Sequence, residues 1–162
     1  MIIGVISDTH INRKSITLPA AVSEAFKGVD MIVHAGDLVD LSVLDALRLI
    51  CKEVKSVWGN MDPNRVRAKL PEKEIISAGR FKIGLMHGRG NPACLVELLT
   101  QEFKDDSVDL IIFGHSHSPF NEKIGDVLFF NPGSATDKMF APYNSVGIIE
   151  AGDKLKARIV KI

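Results

Sequence analysis

The chain opens Met1-Ile2-Ile3-Gly4-Val5-Ile6-Ser7-Asp8-Thr9-His10, an apolar run that ends abruptly in a hydroxyl, a carboxylate and an imidazole. A run this short and this rich in β-branched residues predicts a strand buried on both faces. The polar residues behind it then fall in the loop at the strand's carboxyl end. The same unit recurs four times. Met31 to Val33 leads to Gly36-Asp37, and Val54 to Trp58 to Gly59-Asn60-Met61-Asp62. Phe81 to Met86 leads to His87-Gly88, and Leu110 to Phe113 to Gly114-His115-Ser116-His117.

Between these units the period changes. Pro19 to Lys27 reads as a helix stopped by Gly28. Asp40 reads as the cap of a second helix, with Leu41, Leu44, Leu47 and Ile50 as its apolar stripe. Asn91-Pro92 starts a third in the favoured order, cap then proline, with Leu95, Leu98, Leu99 and Phe103 facing inward. Glu74 to Ser77, turned by Ala78-Gly79-Arg80 into Phe81 to Met86, predicts a hairpin, and so does Asn121 to Phe130 about Gly125-Asp126. Leu155, Ala157 and Ile159 alternate with Lys154, Lys156 and Arg158, as in an antiparallel strand with one wet face. The expected architecture is α/β, with βαβ units early, hairpins late, and two sheets packed together and flanked by helices.

Composition sets the outer bounds. With 162 residues, 46% hydrophobic and 25% charged, the chain has ordinary globular make-up and the size of a single domain, 1–162. Such a chain buries roughly 70% of its unfolded surface, enough for a core without staples. Lysine plus arginine and aspartate plus glutamate each number 20, so formal net charge is zero. That balance argues against a protein whose main task is to hold a nucleic-acid backbone. Cys51 and Cys94 stand far apart, form no disulfide framework and suit a reducing compartment; both are expected as small core residues. Met1 to Ile6 is too short for a signal-peptide core, and no stretch reaches the ~20 apolar residues that span a bilayer. The expected location is the cytoplasm.

The polar clusters point to metal. They hold four of the five histidines, with aspartates and an asparagine and no thiolate. Imidazole, carboxylate and amide donors suit Mn²⁺, Fe²⁺, Ni²⁺ or Zn²⁺ and disfavour a closed structural zinc site. Seven candidate ligands result: Asp8, His10, Asp37, Asn60, His87, His115 and His117. Seven exceed what one catalytic ion with an open position uses, and fit two ions ~3.5–4 Å apart that share a carboxylate. Loops at the carboxyl ends of strands converge in open α/β sheets, so the five clusters are expected to face one place. His34, inside a strand, reads as a hydrogen-bonded core histidine rather than a ligand. Asp62 reads either as a residue that orients a ligand or as a turn former ahead of Pro63.

The ordered set D-x-H, G-D, G-N-x-D, H-G and G-H-x-H resembles the calcineurin-like metallophosphoesterase superfamily, and the chain is most similar to its small YfcE-type phosphodiesterases. The resemblance covers Met1 to about Ser134, and Asn131-Pro132-Gly133-Ser134 is also similar to a family turn, structural or substrate-facing. It implies a four-layer αββα sandwich of two mixed β-sheets flanked by helices. It implies one metal on Asp8, His10 and His117, a second on Asn60, His87 and His115, and Asp37 bridging; Mn²⁺ is the first candidate, with Ni²⁺, Fe²⁺ or Zn²⁺ as alternatives. The implied reaction is hydrolysis of a small phosphate ester, a diester before a monoester, by in-line attack of a metal-bridging hydroxide. Asp37, Asn60 and His87 are its implied catalytic residues, with Asn60 also a substrate contact; Arg89 is a candidate substrate contact on the chemistry of its guanidinium.

Two positions depart from the wider pattern. Met61 stands where many members place a proton-donating histidine, and Arg89 where many read a second histidine; Arg89 reads either as a phosphate contact or as a solvated loop residue. A homo-oligomer, dimer or tetramer, stays open as a partner alongside the small phosphate ester. An alternative function follows from the retromer subunit of the same fold, a protein-binding scaffold. Completeness of the ligand set separates the two readings.

Overall fold

The computed structural model describes residues 1–11 and 17–162. The described residues form β1 (Ile2–Ile6), α1 (Ala20–Ala25), β2 (Met31–His34), α2 (Ser42–Arg48), β3 (Val54–Ser56), α3 (Asn64–Arg67), β4 (Lys73–Ala78) and β5 (Phe81–Met86). A 3-10 turn, Pro92–Cys94, leads into α4 (Leu95–Glu102), followed by β6 (Leu110–Ile112), β7 (Phe120–Ile124), β8 (Val127–Asn131), β9 (Ser145–Ala151) and β10 (Leu155–Lys161).

Two five-stranded mixed sheets result, ordered β10-β9-β1-β2-β3 and β4-β5-β6-β8-β7. In the first, β1, β2 and β3 run parallel, and β9 and β10 antiparallel. In the second, β5, β6 and β8 run parallel, with β4 and β7 as antiparallel edges. The alternation of side chains along each strand makes the layers. Ile3 and Val5 of β1, Met31 and Val33 of β2, Ile83 and Leu85 of β5, and Leu110 and Ile112 of β6 meet in one cluster between the sheets. The opposite faces pack outward on helices: Ile6 and Ile32 meet Val22, Phe26, Val43 and Leu47, while Met86 and Ile111 meet Leu95, Leu99 and Phe103. Three apolar seams between four layers give the expected αββα sandwich, and each fully buried aliphatic side chain contributes about 1.5–3 kcal/mol.

Details differ from the sequence reading. Asp40 stands one residue before the geometric cap of α2, Leu41, although its Oδ1 accepts from Ser42 N at 3.1 Å. Asn91 does cap, accepting from Ala93 N, but the first turn it opens is 3-10. Cys51, just past the end of α2, is half-buried and packs against the core beneath the helices, whereas Cys94, ahead of the inward stripe of α4, is exposed and is no core residue. No helix among the described residues is long and apolar enough to cross a membrane.

Candidate metal centre

The parallel strands β1, β2 and β3 of one sheet and β5 and β6 of the other carry the five polar clusters at their carboxyl ends, which brings all seven predicted donors together. Asp8, Asp37 and His87 are buried, while His10, His115 and His117 are partly open. The backbone makes sharp turns to aim them. Asp8, His10, Asp37, His115 and His117 all have positive φ, between 46° and 70°. For a residue with a Cβ this conformation costs roughly 1–2 kcal/mol. Of the two other such residues among those described, Val39 lies two positions from Asp37, so six of the seven surround this site. Glycines beside the donors leave the room: a Cβ at Gly59 would stand 2.2 Å from Asp37 Oδ1, and one at Gly114 2.1 Å from Ser7 Oγ.

Ring orientation shows what the cluster lacks. His87 donates from Nδ1 to Ala35 O at 2.7 Å, and His115 from Nε2 to Gly90 O at 2.8 Å. His117 turns its Nδ1 to the Asp137 carboxylate. A carbonyl or carboxylate only accepts, so these partners assign the N–H and leave the other ring nitrogen with a lone pair. That other nitrogen points inward each time, at carboxylate or amide oxygens and, for His117, also at His10 Nε2. His87 Nε2 lies 3.3 Å from Asp37 Oδ2 and 3.2 Å from Asn60 Oδ1. His115 Nδ1 lies 2.7 Å from Asn60 Oδ1, and His117 Nε2 lies 3.3 Å from Asp8 Oδ1 and 3.1 Å from His10 Nε2. Acceptors facing acceptors at these distances call for a cation between them, a proton or a metal ion. The donor set is all nitrogen and oxygen, so a divalent transition ion fits.

Among the described residues, two groups have donor atoms within 4.8 Å of one another: Asp8, His10 and His117, and Asp8, Asp37 and His87. Asp8 belongs to both. Asp37 also faces both sides, its Oδ2 lying 3.3 Å from His87 Nε2 and 3.8 Å from His10 Nε2. Without a metal, protons answer the same demand. The hydrogen bond to Asp8, opposed by burial and aided by Asp137, raises His117 to about 9. Burial works against a charge on His87, but its bond to Asp37 and the fields of Asp8 and Asp37 prevail and raise its pKa. Burial likewise opposes the Asp37 anion, yet the bond to His87 holds its carboxyl below the usual range.

The remaining sequence candidates fall into place around this core. His34 is fully buried and neutral in role: its Nδ1 accepts from Gly36 N at 3.1 Å and its Nε2 meets Thr9 Oγ1 at 3.1 Å. Asp62 accepts from the backbone N–H groups of Asp37, Val39 and Gly59, tying the loop after β2 to the loop after β3. The turn Asn131–Ser134 is structural. Asn131 Nδ2 donates to Gly114 O at 2.8 Å, and Ser134 Oγ donates to Asp8 O at 2.7 Å. Arg89 lies in a smaller adjoining cavity of about 230 Å³ with Asn60 and His87, paired there with Glu72 and Glu102. Sequence reasoning missed Asp137, which sits in a stretch without periodicity; its signal was only its position three residues beyond Ser134.

The fold and this donor set define a metal-binding αββα domain, and comparison with known proteins specifies it. Residues 1–154 match the calcineurin-like phosphoesterase superfamily domain. A probable metallophosphoesterase of Methanocaldococcus jannaschii is 41% identical over 167 residues, covering 100% of this chain and 82% of the relative. Vps29 of Entamoeba histolytica, solved in complex with zinc, is 27% identical with a TM-score of 0.75 and 99% of both chains covered. A structure described as a novel archaeal phosphodiesterase has a TM-score of 0.80 at 24% identity, with 100% of both chains covered, a likeness of fold. The chain belongs to the calcineurin-like phosphoesterase superfamily, a metal-dependent family.

Proposed function

We propose that this chain is a phosphodiesterase working with two divalent ions. The observation that carries the reading is the set of bare imidazole nitrogens turned on carboxylate and amide oxygens, which the partners of His87, His115 and His117 enforce. In this reading Asp8, His10 and His117 hold one ion, and Asn60, His87 and His115 the other. Asp37, whose Oδ1 accepts from Met61 N at 2.7 Å, would be shared between them. Mn²⁺ is the first candidate. Bound ions of this kind supply a water deprotonated near neutral pH for in-line attack, and a Lewis acid for the phosphoryl oxygens.

The chain's own contribution is placement and charge. Two divalent ions outweigh the two buried carboxylates, so the floor of the site stays positive toward an anionic ester. Asn60 lines both the smaller cavity that holds Arg89 and the cavity above His10 and His117, so its side chain would meet substrate as well as metal. Arg89 reaches a phosphoryl oxygen by exchanging one of its two carboxylate partners. Met61, next to Asn60, has no proton to give the leaving group. The scaffold alternative is disfavoured because all seven donors are present and converge.

The test is metal-stripped protein refilled with Mn²⁺, Ni²⁺, Zn²⁺ or Mg²⁺ and assayed on diesters and monoesters of graded leaving-group pKa. Metal-dependent hydrolysis of diesters is expected, with rates falling steeply as the leaving group becomes more basic. General acid catalysis is typically worth 10²–10⁴-fold, so its lack is measurable. Absence of hydrolysis with every metal would contradict the proposal.

A further inference from the structure

The donor cluster is the floor of a cavity of about 720 Å³. Its walls are of another character. Ile11, Met61, Pro92 and Phe140 line it above the histidines. Met61 and Phe140 are 60% and 74% exposed, large apolar groups left in water at the mouth of a polar site. Neither is there by loose tethering. Met61 N–H donates to Asp37 Oδ1, and Phe140 N–H donates to the same Asp137 carboxylate that orients His117. The Phe140 ring stands edge-on to the His117 ring with centroids 6.3 Å apart. Floor and wall are thus fixed to each other by shared carboxylates. No lysine or arginine lines this cavity among the described residues.

An ester whose phosphorus sits on the floor must send its organic arm along these walls. We propose that Met61 and Phe140, with Ile11 and Pro92 beside them, form the subsite for that arm, and that the substrates are phosphoesters bearing an uncharged, apolar or aromatic group. A flat aromatic arm covers both exposed side chains and offers its edge or face to Phe140. A second phosphate on the arm would meet the Asp137 carboxylate and apolar side chains and, among the described residues lining the cavity, no lysine or arginine. This inference rests on the phosphoesterase reading above.

Binding of non-hydrolysable phosphonates to the Mn²⁺-loaded protein, followed by calorimetry, tests it without any catalytic step. Phenylphosphonate should bind about tenfold more tightly than methylphosphonate, the scale expected for covering one ring. Phenylene-1,4-bisphosphonate should bind more weakly than phenylphosphonate. In Phe140→Ser and Met61→Ser the phenyl-to-methyl ratio should fall by at least about threefold; both side chains are largely exposed, so folding is preserved. Equal binding of the phenyl and methyl compounds, an unchanged ratio in both variants, or tightest binding of the bisphosphonate would overturn the subsite. Failure of every phosphonate to bind the metal-loaded protein would instead overturn the phosphoesterase reading, and the subsite with it.

Discussion

His117 shows how one residue is committed to one task. The carboxylate of Asp137 holds its Nδ1 side, so its Nε2 lone pair is delivered to Asp8 and His10. Partners of this sort fix ring orientation and raise basicity, and their loss typically costs 10–100-fold in metal affinity. Asp137→Asn keeps an oxygen for the Met139 and Phe140 N–H groups but removes the charge, and should weaken Mn²⁺ binding by about tenfold in a calorimetric titration; unchanged affinity would show that the ring needs no such anchor. His34 poses the opposite electrostatic problem. Burial, only partly offset by Asp8, pulls its imidazole down to about 4, against about 6.5 in the unfolded chain. Between those values the unfolded state binds more protons, so stability rises with pH there. The contribution is fully present above 6.5 and is lost as pH falls toward 4, a difference of about 3 kcal/mol. Denaturant midpoints of metal-free protein from pH 4 to about 6.5 should show this slope, and His34→Gln should flatten it. An equal slope in both proteins would rule out His34 as the titrating group.

At the scale of elements, the site depends on loops being locked to one another across strand ends. Asp62 does this between β2 and β3 through three backbone N–H donors. Asp62→Ala leaves them unpaired in a buried place and should cost about 3 kcal/mol, or about 6–12 °C in Tm; a shift under 2 °C would mean water replaces the carboxylate. This bond pattern explains what could be read in advance. The strands β1, β2, β5 and β6 were legible because each is a short, mainly apolar run, and all seven donors because a polar cluster follows each of these strands or β3. β9 was not. Its run Ser145–Ala151 follows the aperiodic segment after Ser134 and has no donor cluster behind it, so nothing local marks it; Gly147 stands where a Cβ would lie 2.3 Å from the Phe130 ring. α3, four residues long, is too short for any period to register. Asp137 and Phe140 escaped for a related reason: they serve the site through tertiary contact alone, from a segment with no local signal.

For the whole molecule, two sheets face each other so that strand ends from both deliver donors to one rim, and neither sheet alone completes the set. Asp8, His10, Asp37 and Asn60 come from the first sheet, and His87, His115 and His117 from the second. A cation bound there joins the two halves, so metal should stabilise the fold by mass action, about 2.7 kcal/mol at a concentration one hundred times its Kd. Thermal melts with rising Mn²⁺ should therefore move upward, and a Tm indifferent to metal would show that the donors do not act together. The number of ions bound tests the account most directly. Metal-stripped protein titrated with Mn²⁺ and then freed of excess should retain about two equivalents per chain by elemental analysis, since seven donors exceed the needs of one ion. Saturation at one equivalent would contradict the two-ion centre.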